Sequence, residues 1–213
     1  MHICLNRPDA PKAMSLQTVA ELRQVLKDAE ATTGTPDAVR VVVLRGAGGH
    51  FCAAADLNDM AGARMRAMQA AGTGATDPIA EVNAAFGELC AADPRTPLAV
   101  VAVLEGTVMG GGLGLAGVAD VTLASQTTPF RMPEASLGVV PTQITPFQVE
   151  RLGYSQAKRL AATKALMAQA RLRAPHDLVQ SAAAVFSQAA QSPEGPEGMT
   201  TFIQKRKPQW AMP

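Results

Sequence analysis

Glu134 is set apart from the other acidic residues by its neighbourhood. It follows Met132-Pro133 inside "FRMPEASLGVVP", an apolar stretch. A carboxyl among apolar neighbours loses hydration, so its pKa rises and it becomes suited to moving protons near neutral pH. The same glutamate could equally cap a short helix. The second chemical feature is made of backbone. In "VMGGGLGLAGVAD" (108–120) three consecutive glycines stand between apolar residues. Residues 112–117, "GLGLAG", match GxGxxG, but the dinucleotide-binding loop lies immediately after a strand, and here "EGTVM" intervenes. Alternatively, Gly110, Gly111 and Gly112 open a helix, whose first N–H groups and positive dipole end can hold an oxyanion. Close packing of small residues is the third explanation. An oxyanion site needs two donors, and "HFCAAAD" (50–56), small residues leading into a helix, is a candidate second loop. No HExxH, GxSxG or Walker A pattern occurs, and His2, His50 and His176 lie far apart in sequence.

The elements that must position these residues follow from periodicity. "HICL" ends a short strand. Ser15 is an N-cap candidate, and Val19, Leu22 and Leu26 recur at helical spacing, which predicts a helix over 16–31. "VRVVVLRG" (39–46) and "LAVVAVLEG" (98–106) are almost continuously apolar, as buried parallel strands are. "ADVTLAS" (119–125) is a third strand. Helical patterns start in "AAADLNDMAGARMRAMQAA" and run over 79–91, while 130–141 reads as irregular. "TPFQVERLGYSQAKRLAATKALMAQARLR" reads as helix with a break at Gly153, and "HDLVQSAAAVFSQAAQS" as another. "PEGPEG" reads as a loop, and "MTTFIQKRKPQW" as a helix start ending by Pro208. Strands alternating with helices imply an α/β fold with crossover connections.

Composition narrows the function classes. The 213 residues include 47% hydrophobic and 17% charged residues, a globular balance. The net charge of +1 gives no field for nucleic acid or an acidic partner, and Lys205-Arg206-Lys207 is the longest basic run. Cys4, Cys52 and Cys90 lack CxxC spacing, which argues against a disulfide framework or a zinc site and for a reducing, cytoplasmic setting. No secretory leader or membrane-spanning run is read, so no membrane partner is expected.

Five segments now line up: "LNRP…AM", "VVVLRGAGGHFCAAADL", "LEGTVMGGGLGLAGVADVTLAS", "FRMPEASLGVVP" and "EGMTTFIQKRKPQW". In this order they resemble the crotonase (enoyl-CoA hydratase/isomerase) superfamily over nearly the whole chain. The resemblance implies a ClpP/crotonase-like spiral of ββα units with C-terminal helices. It implies residues 1–150 as the spiral core with the active site, and 151–213 as a C-terminal helical trimerisation region. It also implies a lyase that adds water across the 2,3-double bond of an acyl-CoA. The thioester oxygen would be held by the N–H groups of Ala53 and Gly111, with Glu134 catalytic. The CoA moiety would be bound by Ala10, Lys12 and Ala13, by Ala55, Asp56 and Leu57, by Gly110, and by Phe202 and Lys205. No metal and no cofactor beyond the CoA of the substrate is implied, and the assembly would be a homotrimer or dimer of trimers. Family hydratases carry a first glutamate where this chain has Gly114. A single glutamate followed by "VVPTQITPF" is similar to hydratases of branched glutaconyl-CoA esters, isohexenylglutaconyl-CoA (acyclic terpene breakdown) before 3-methylglutaconyl-CoA (leucine breakdown).

The chain departs from the family pattern at four places. Ala54 replaces a glycine beside one oxyanion donor, and Lys12 replaces an asparagine. The first strand lacks its hairpin partner. "AKRLA" runs directly into "ATKALM", so the C-terminal region reads as shortened between Ala161 and Ala162, by a deletion or by a stretch left out of the sequence. Another enoyl-CoA hydratase or isomerase activity is the further alternative within the family, and these departures leave a catalytically idle CoA-binding or oligomerisation protein as the alternative of another class.

Overall fold

The computed structural model describes residues 1–7, 13–53, 56–70, 76–92, 95–160, 170 and 172–210. The element order is β1 (His2–Leu5), α1 (Leu16–Glu30), β2 (Val41–Gly46), β3 (Cys52–Ala53), α2 (Leu57–Ala70), α3 (Pro78–Ala92), β4 (Ala99–Leu104), β5 (Val108–Met109), α4 (Gly111–Val118), β6 (Val121–Ala124), β7 (Phe130–Arg131), α5 (Ile144–Leu160), α6 (Val179–Gln191) and α7 (Glu194–Ile203). Short 3₁₀ turns occupy Ala47–Gly49, Pro133–Leu137 and Pro175–Leu178. The contacts divide the chain into two compact units. Met1–Asp56 with Ala85–Arg131 form the first, and Leu57–Ala84 with Met132–Pro213 form the second.

The first unit holds both sheets, and every strand pair in them is parallel. A four-stranded sheet has the order β1-β2-β4-β6, and a three-stranded sheet the order β3-β5-β7. From β2 onward, each strand of the larger sheet is followed in the chain by one strand of the smaller. Helix returns the chain to the start of the next pair after β3 and after β5. Strand order therefore equals chain order in both sheets, the arrangement of a spiral of ββα units. Two-residue strands are too short to carry a period, so β3, β5 and β7 leave no hydrophobic signature. α1 starts where Ser15 accepts the N–H of Thr18 at 3.1 Å, and it buries Val19, Leu22, Leu26 and Ala29.

The long strands bury one face only. Val42, Leu44, Val100, Ala102 and Leu104 are buried, whereas Val41, Val121 and Leu123 are 42%, 47% and 56% exposed. The expectation that these strands would be buried on both faces is corrected here. Side chains alternate across the pleat, and Val43, Val101 and Val121, joined in register, share the open face.

The second unit is built of helices and a 3₁₀ turn. Met60, Ala63, Ile79, Leu137, Val139, Phe186 and Ala190 form its core, so the 3₁₀ turn packs on α2, α3 and α6. α5 breaks at Gly153, whose φ is +75°. The expected continuation of that helix over 161–169, and the Ala161–Ala162 junction, lie outside the described residues. "PEGPEG" is not a loop: α7 begins at Glu194. Its prolines fall at the N-cap and in the first turn, where no intrahelical N–H is lost. Its glycines are contact points. A Cβ on Gly198 would lie 2.2 Å from the Leu137 carbonyl carbon, and one on Gly195 2.5 Å from the Ala190 oxygen.

Candidate active site

Two of the residues singled out by sequence meet in the first unit. Ala53 ends β3, where it pairs with Met109 of β5, and Gly111 opens α4 two residues further on. Cys52 donates its N–H to Thr107 O at 3.3 Å. Successive N–H groups alternate along a strand, so the N–H of Ala53 faces away from β5, on the side where no described strand follows. Gly110 makes the turn from β5 into α4 with φ 49° and ψ −115°, a backbone region that a side chain strongly disfavours. Its own N–H is spent on Arg131 O of β7 at 3.2 Å. Its carbonyl accepts the N–H groups of Leu113 and Gly114 at 2.9 and 3.2 Å. The N–H groups of Gly111 and Gly112 thus precede the helix ladder and stand at the positive end of its dipole.

The remaining glycines explain how close these pieces come. A Cβ on Gly112 would meet Cys52 Cβ at 2.7 Å and Cys52 O at 3.0 Å, so α4 lies directly on β3. A Cβ on Gly111 would meet Phe86 at 3.4 Å and Met14 Cβ at 3.7 Å, ordinary or slightly tight contacts. The GxGxxG match falls inside α4, with Gly112 already helical and packed on a strand. No turn remains there to cradle a pyrophosphate, and the dinucleotide reading is set aside.

Ala13, Met14 and Asp56 lie close by. Arg7 Nη1 donates to Ala13 O and to Asp56 Oδ2, both at 2.8 Å, and Asp56 donates its N–H to Met14 O at 3.0 Å. Ala10, Lys12, Ala54 and Ala55, which sequence placed at the CoA end or beside the donor, lie outside the described residues; of Leu57, only its place at the start of α2 is described. Gly114, where the family's first glutamate would stand, is buried in α4.

Glu134 belongs to the second unit, in the 3₁₀ turn Pro133–Leu137. Its Oε2 is buried and no described residue hydrogen-bonds it. Burial pushes the carboxyl up to about 7, opposed in part by a hydrogen bond from its own backbone N–H. The turn is held from below by α7: Gly138, at φ +67°, would place a Cβ 2.3 Å from Glu194 O. A carboxyl with a free buried oxygen and a pKa near neutrality can both take and return a proton at physiological pH. In sequence this residue was legible as a carboxylate among apolar neighbours; the glycines of α7 that hold its turn were not.

Phe202 and Lys205 close the C-terminal end of α7. Phe202 is 57% exposed, and Lys205 adopts φ +52°, the left-handed position that follows many helices. Arg206 pairs with Glu197 through both carboxylate oxygens, at 3.0 and 3.1 Å. The histidines take no part in these arrangements. His50 Nδ1 accepts the Thr107 N–H at 3.4 Å, and His176 stands 3.3 Å from its neighbour Asp177 on the surface. Cys4, Cys52 and Cys90 are free thiols. Among the described residues no group of three His, Cys, Asp or Glu side chains could hold a metal, and no helix is long and apolar enough to cross a membrane.

Comparison with known proteins gives one answer. Residues 1–164 match the enoyl-CoA hydratase/isomerase family. The chain is 39% identical to a solved enoyl-CoA hydratase/isomerase of Marinobacter aquaeolei, over 99% of this chain and 95% of that one, with a TM-score of 0.68. It is 37% identical to AtuE of Pseudomonas aeruginosa, again over 99% and 95%, with a TM-score of 0.67. It is 30% identical over 158 residues to the enoyl-CoA hydratase AKT6-1 of Alternaria alternata, 74% of this chain and 47% of that protein. The chain spans about half the length of the curated relatives it matches. The α/β spiral, its parallel sheets and the matched residues agree, and the chain belongs to the enoyl-CoA hydratase/isomerase family.

Proposed function

We propose that this chain is an acyl-CoA hydratase, a hydro-lyase that adds water across the 2,3-double bond of an enoyl-CoA thioester. The observation that carries hydration, rather than thioester binding alone, is Glu134 with its buried, unpartnered Oε2 and its pKa of about 7. The N–H groups of Ala53 and Gly111 hold the thioester oxygen. Negative charge builds on that oxygen as water adds to C3, and fixed donors stabilise the enolate more than the ground state. Glu134, ionised at the start, takes the proton from the attacking water and returns it to C2, so one carboxyl serves as base and then as acid.

The proposed substrate is a branched glutaconyl-CoA ester, isohexenylglutaconyl-CoA first and 3-methylglutaconyl-CoA second. The support is Gly114, which stands where the resemblance to the family implies a first glutamate and so leaves Glu134 as the single carboxylate of the proposed site. A glutaconyl chain brings its own distal carboxylate, and a second protein carboxylate near it would repel it. CoA is taken by Ala10, Lys12 and Ala13, by the strand end Ala55, Asp56 and Leu57, by Gly110, and by Phe202 and Lys205, the last two exposed at the end of α7. We place the enzyme in the cytoplasm, which suits its three free thiols, as a homotrimer or dimer of trimers.

The test is a hydration assay with crotonyl-CoA, 3-methylglutaconyl-CoA and isohexenylglutaconyl-CoA, following loss of the conjugated thioester absorbance. Turnover of a glutaconyl ester at a higher kcat/KM than crotonyl-CoA supports the reading. Tight acyl-CoA binding without turnover of any of the three replaces it with an idle CoA-binding protein.

A further inference from the structure

We infer that the Arg7–Asp56 ion pair is a positioning device for the oxyanion donors, and that the Asp56 carboxylate acts through the backbone rather than on CoA. The inference rests on the hydratase reading above.

Four observations carry it. First, Asp56 is turned inward: its side chain is 8% exposed and it pairs with Arg7 at 2.8 Å. A carboxylate so placed is engaged by protein, not offered to a ligand. Second, the pair joins two loops. The same Arg7 Nη1 that holds Asp56 also donates to Ala13 O, and the Asp56 N–H donates to Met14 O. Third, each loop leads to one donor. Asp56 lies three residues after Ala53 in the chain. Met14 Cβ lies 3.7 Å from where a Gly111 side chain would begin. One ion pair therefore ties Asp56, three residues after Ala53, to the Ala13–Met14 backbone beside Gly111. Fourth, Arg7, Ala13, Met14 and Cys52 line a cavity of about 240 Å³, so the ion pair borders open space on one side. Oxyanion donors act only when fixed in place before charge develops, and a shift of about 1 Å can cost about 10²-fold in rate.

The experiment compares wild type with Arg7→Ala, Arg7→Lys, Asp56→Ala, Asp56→Asn and the Arg7→Ala/Asp56→Ala double variant. Steady-state hydration of crotonyl-CoA gives kcat and KM separately. The expected result is a kcat lowered about 10²-fold in each alanine variant, with KM changed less than about threefold. The double variant loses no more than the worse single one, because both remove the same device. Arg7→Lys recovers part of the loss, because it keeps the charge but carries it on a shorter side chain that does not bring its nitrogen to the place of Arg7 Nη1 between Ala13 O and Asp56 Oδ2. A second readout is spectroscopic. In a Glu134→Gln background, which leaves the probe unconsumed, bound 2,4-hexadienoyl-CoA absorbs further to the red when its carbonyl is polarised by the donors. That red shift shrinks in Arg7→Ala at saturating probe. If Arg7→Ala does not fold, as judged by its far-UV spectrum, Asp56→Asn and Arg7→Lys carry the test.

A raised KM with unchanged kcat in the Asp56 variants would overturn the inference, since it would put the carboxylate on CoA. So would an undiminished red shift, or losses that multiply in the double variant. A wild type that turns over while every variant matches it sinks the ion-pair role alone. A wild type that neither turns over nor shifts the probe sinks the hydratase reading and this inference with it.

Discussion

In the proposed hydratase, the corner where α4 meets β3 and the turn that carries Glu134 are assigned opposite kinds of chemistry with the same building material. At the first, the reactive groups are backbone N–H groups, and side chains are kept away: Gly112 lies against Cys52 with no room for a Cβ. At the second, the reactive group is a side chain, and the backbone around it is kept close: Gly138 and Gly198 let α7 press on the turn. In both places glycine serves contact more than flexibility. The difference lies in what is made reactive. A helix end exposes dipoles that cost nothing to orient at the moment of reaction. A buried carboxyl is made reactive by losing water, which raises its pKa and costs stability.

The largest effect separates side-chain from backbone chemistry. Glu134→Gln is expected to lower hydration kcat by about 10²–10⁴-fold, the range for a general acid–base group, while CoA binding measured by calorimetry stays as in wild type. A variant retaining full activity would remove Glu134 from the mechanism.

The same substitution tests the stability cost. Burial pushes folded Glu134 up to about 7 from the ordinary 4.5, so between these pH values the folded state holds a proton that the unfolded state has released. Stability from this group is therefore present below about pH 4.5 and is lost as pH rises through 7. The advantage of Glu134→Gln over wild type should grow by about 3 kcal/mol from pH 4.5 to above pH 7, read from denaturant unfolding at each pH. A constant difference across that range would mean that the carboxyl is not desolvated.

At the other corner, Gly112→Ala forces the α4 N-terminus off β3 or strains it, because its Cβ would lie 2.7 Å from Cys52 Cβ. The expected result is a loss of about 1–3 kcal/mol from overpacking, seen in Tm, with kcat lowered more than in Gly111→Ala, whose Cβ meets only Phe86 at 3.4 Å and Met14 at 3.7 Å. Equal effects of the two would break the claim that α4 is set by contact with β3.

The smallest effect is a control on conformation without contact. Gly34 has φ +85° and nothing within 4 Å of a built Cβ. Gly34→Ala should cost about 1 kcal/mol in unfolding measurements and leave kcat unchanged.

Much of this was legible in the residues, and the illegible parts have physical reasons. The helix 16–31 and the long strands announced themselves through Val19, Leu22, Leu26 and the runs around Val42 and Val100, because a long element repeats its period several times. Two-residue strands repeat nothing, so β3, β5 and β7 were silent although β3 and β5 position Ala53 and Gly111. The glycine run was visible but ambiguous. Only the distance from Gly112 to Cys52 separates helix-on-strand packing from a phosphate loop. "PEGPEG" misled because glycine and proline mark loops by conformation, whereas here prolines occupy a helix start and glycines a backbone contact. Asp56 was visible as a motif residue, but its ion pair with Arg7 joins positions 49 apart in sequence, which no local pattern encodes.

The central claim is that a single buried carboxyl, Glu134, runs the reaction as base and then acid. The most direct measurement is the pH dependence of kcat/KM for hydration from pH 5 to 9, which reports the free enzyme. Activity requires the ionised form, so the account predicts a rise with pH, half-maximal near 7, and a plateau above it. A profile flat across that range, or half-maximal near 4.5, would contradict it.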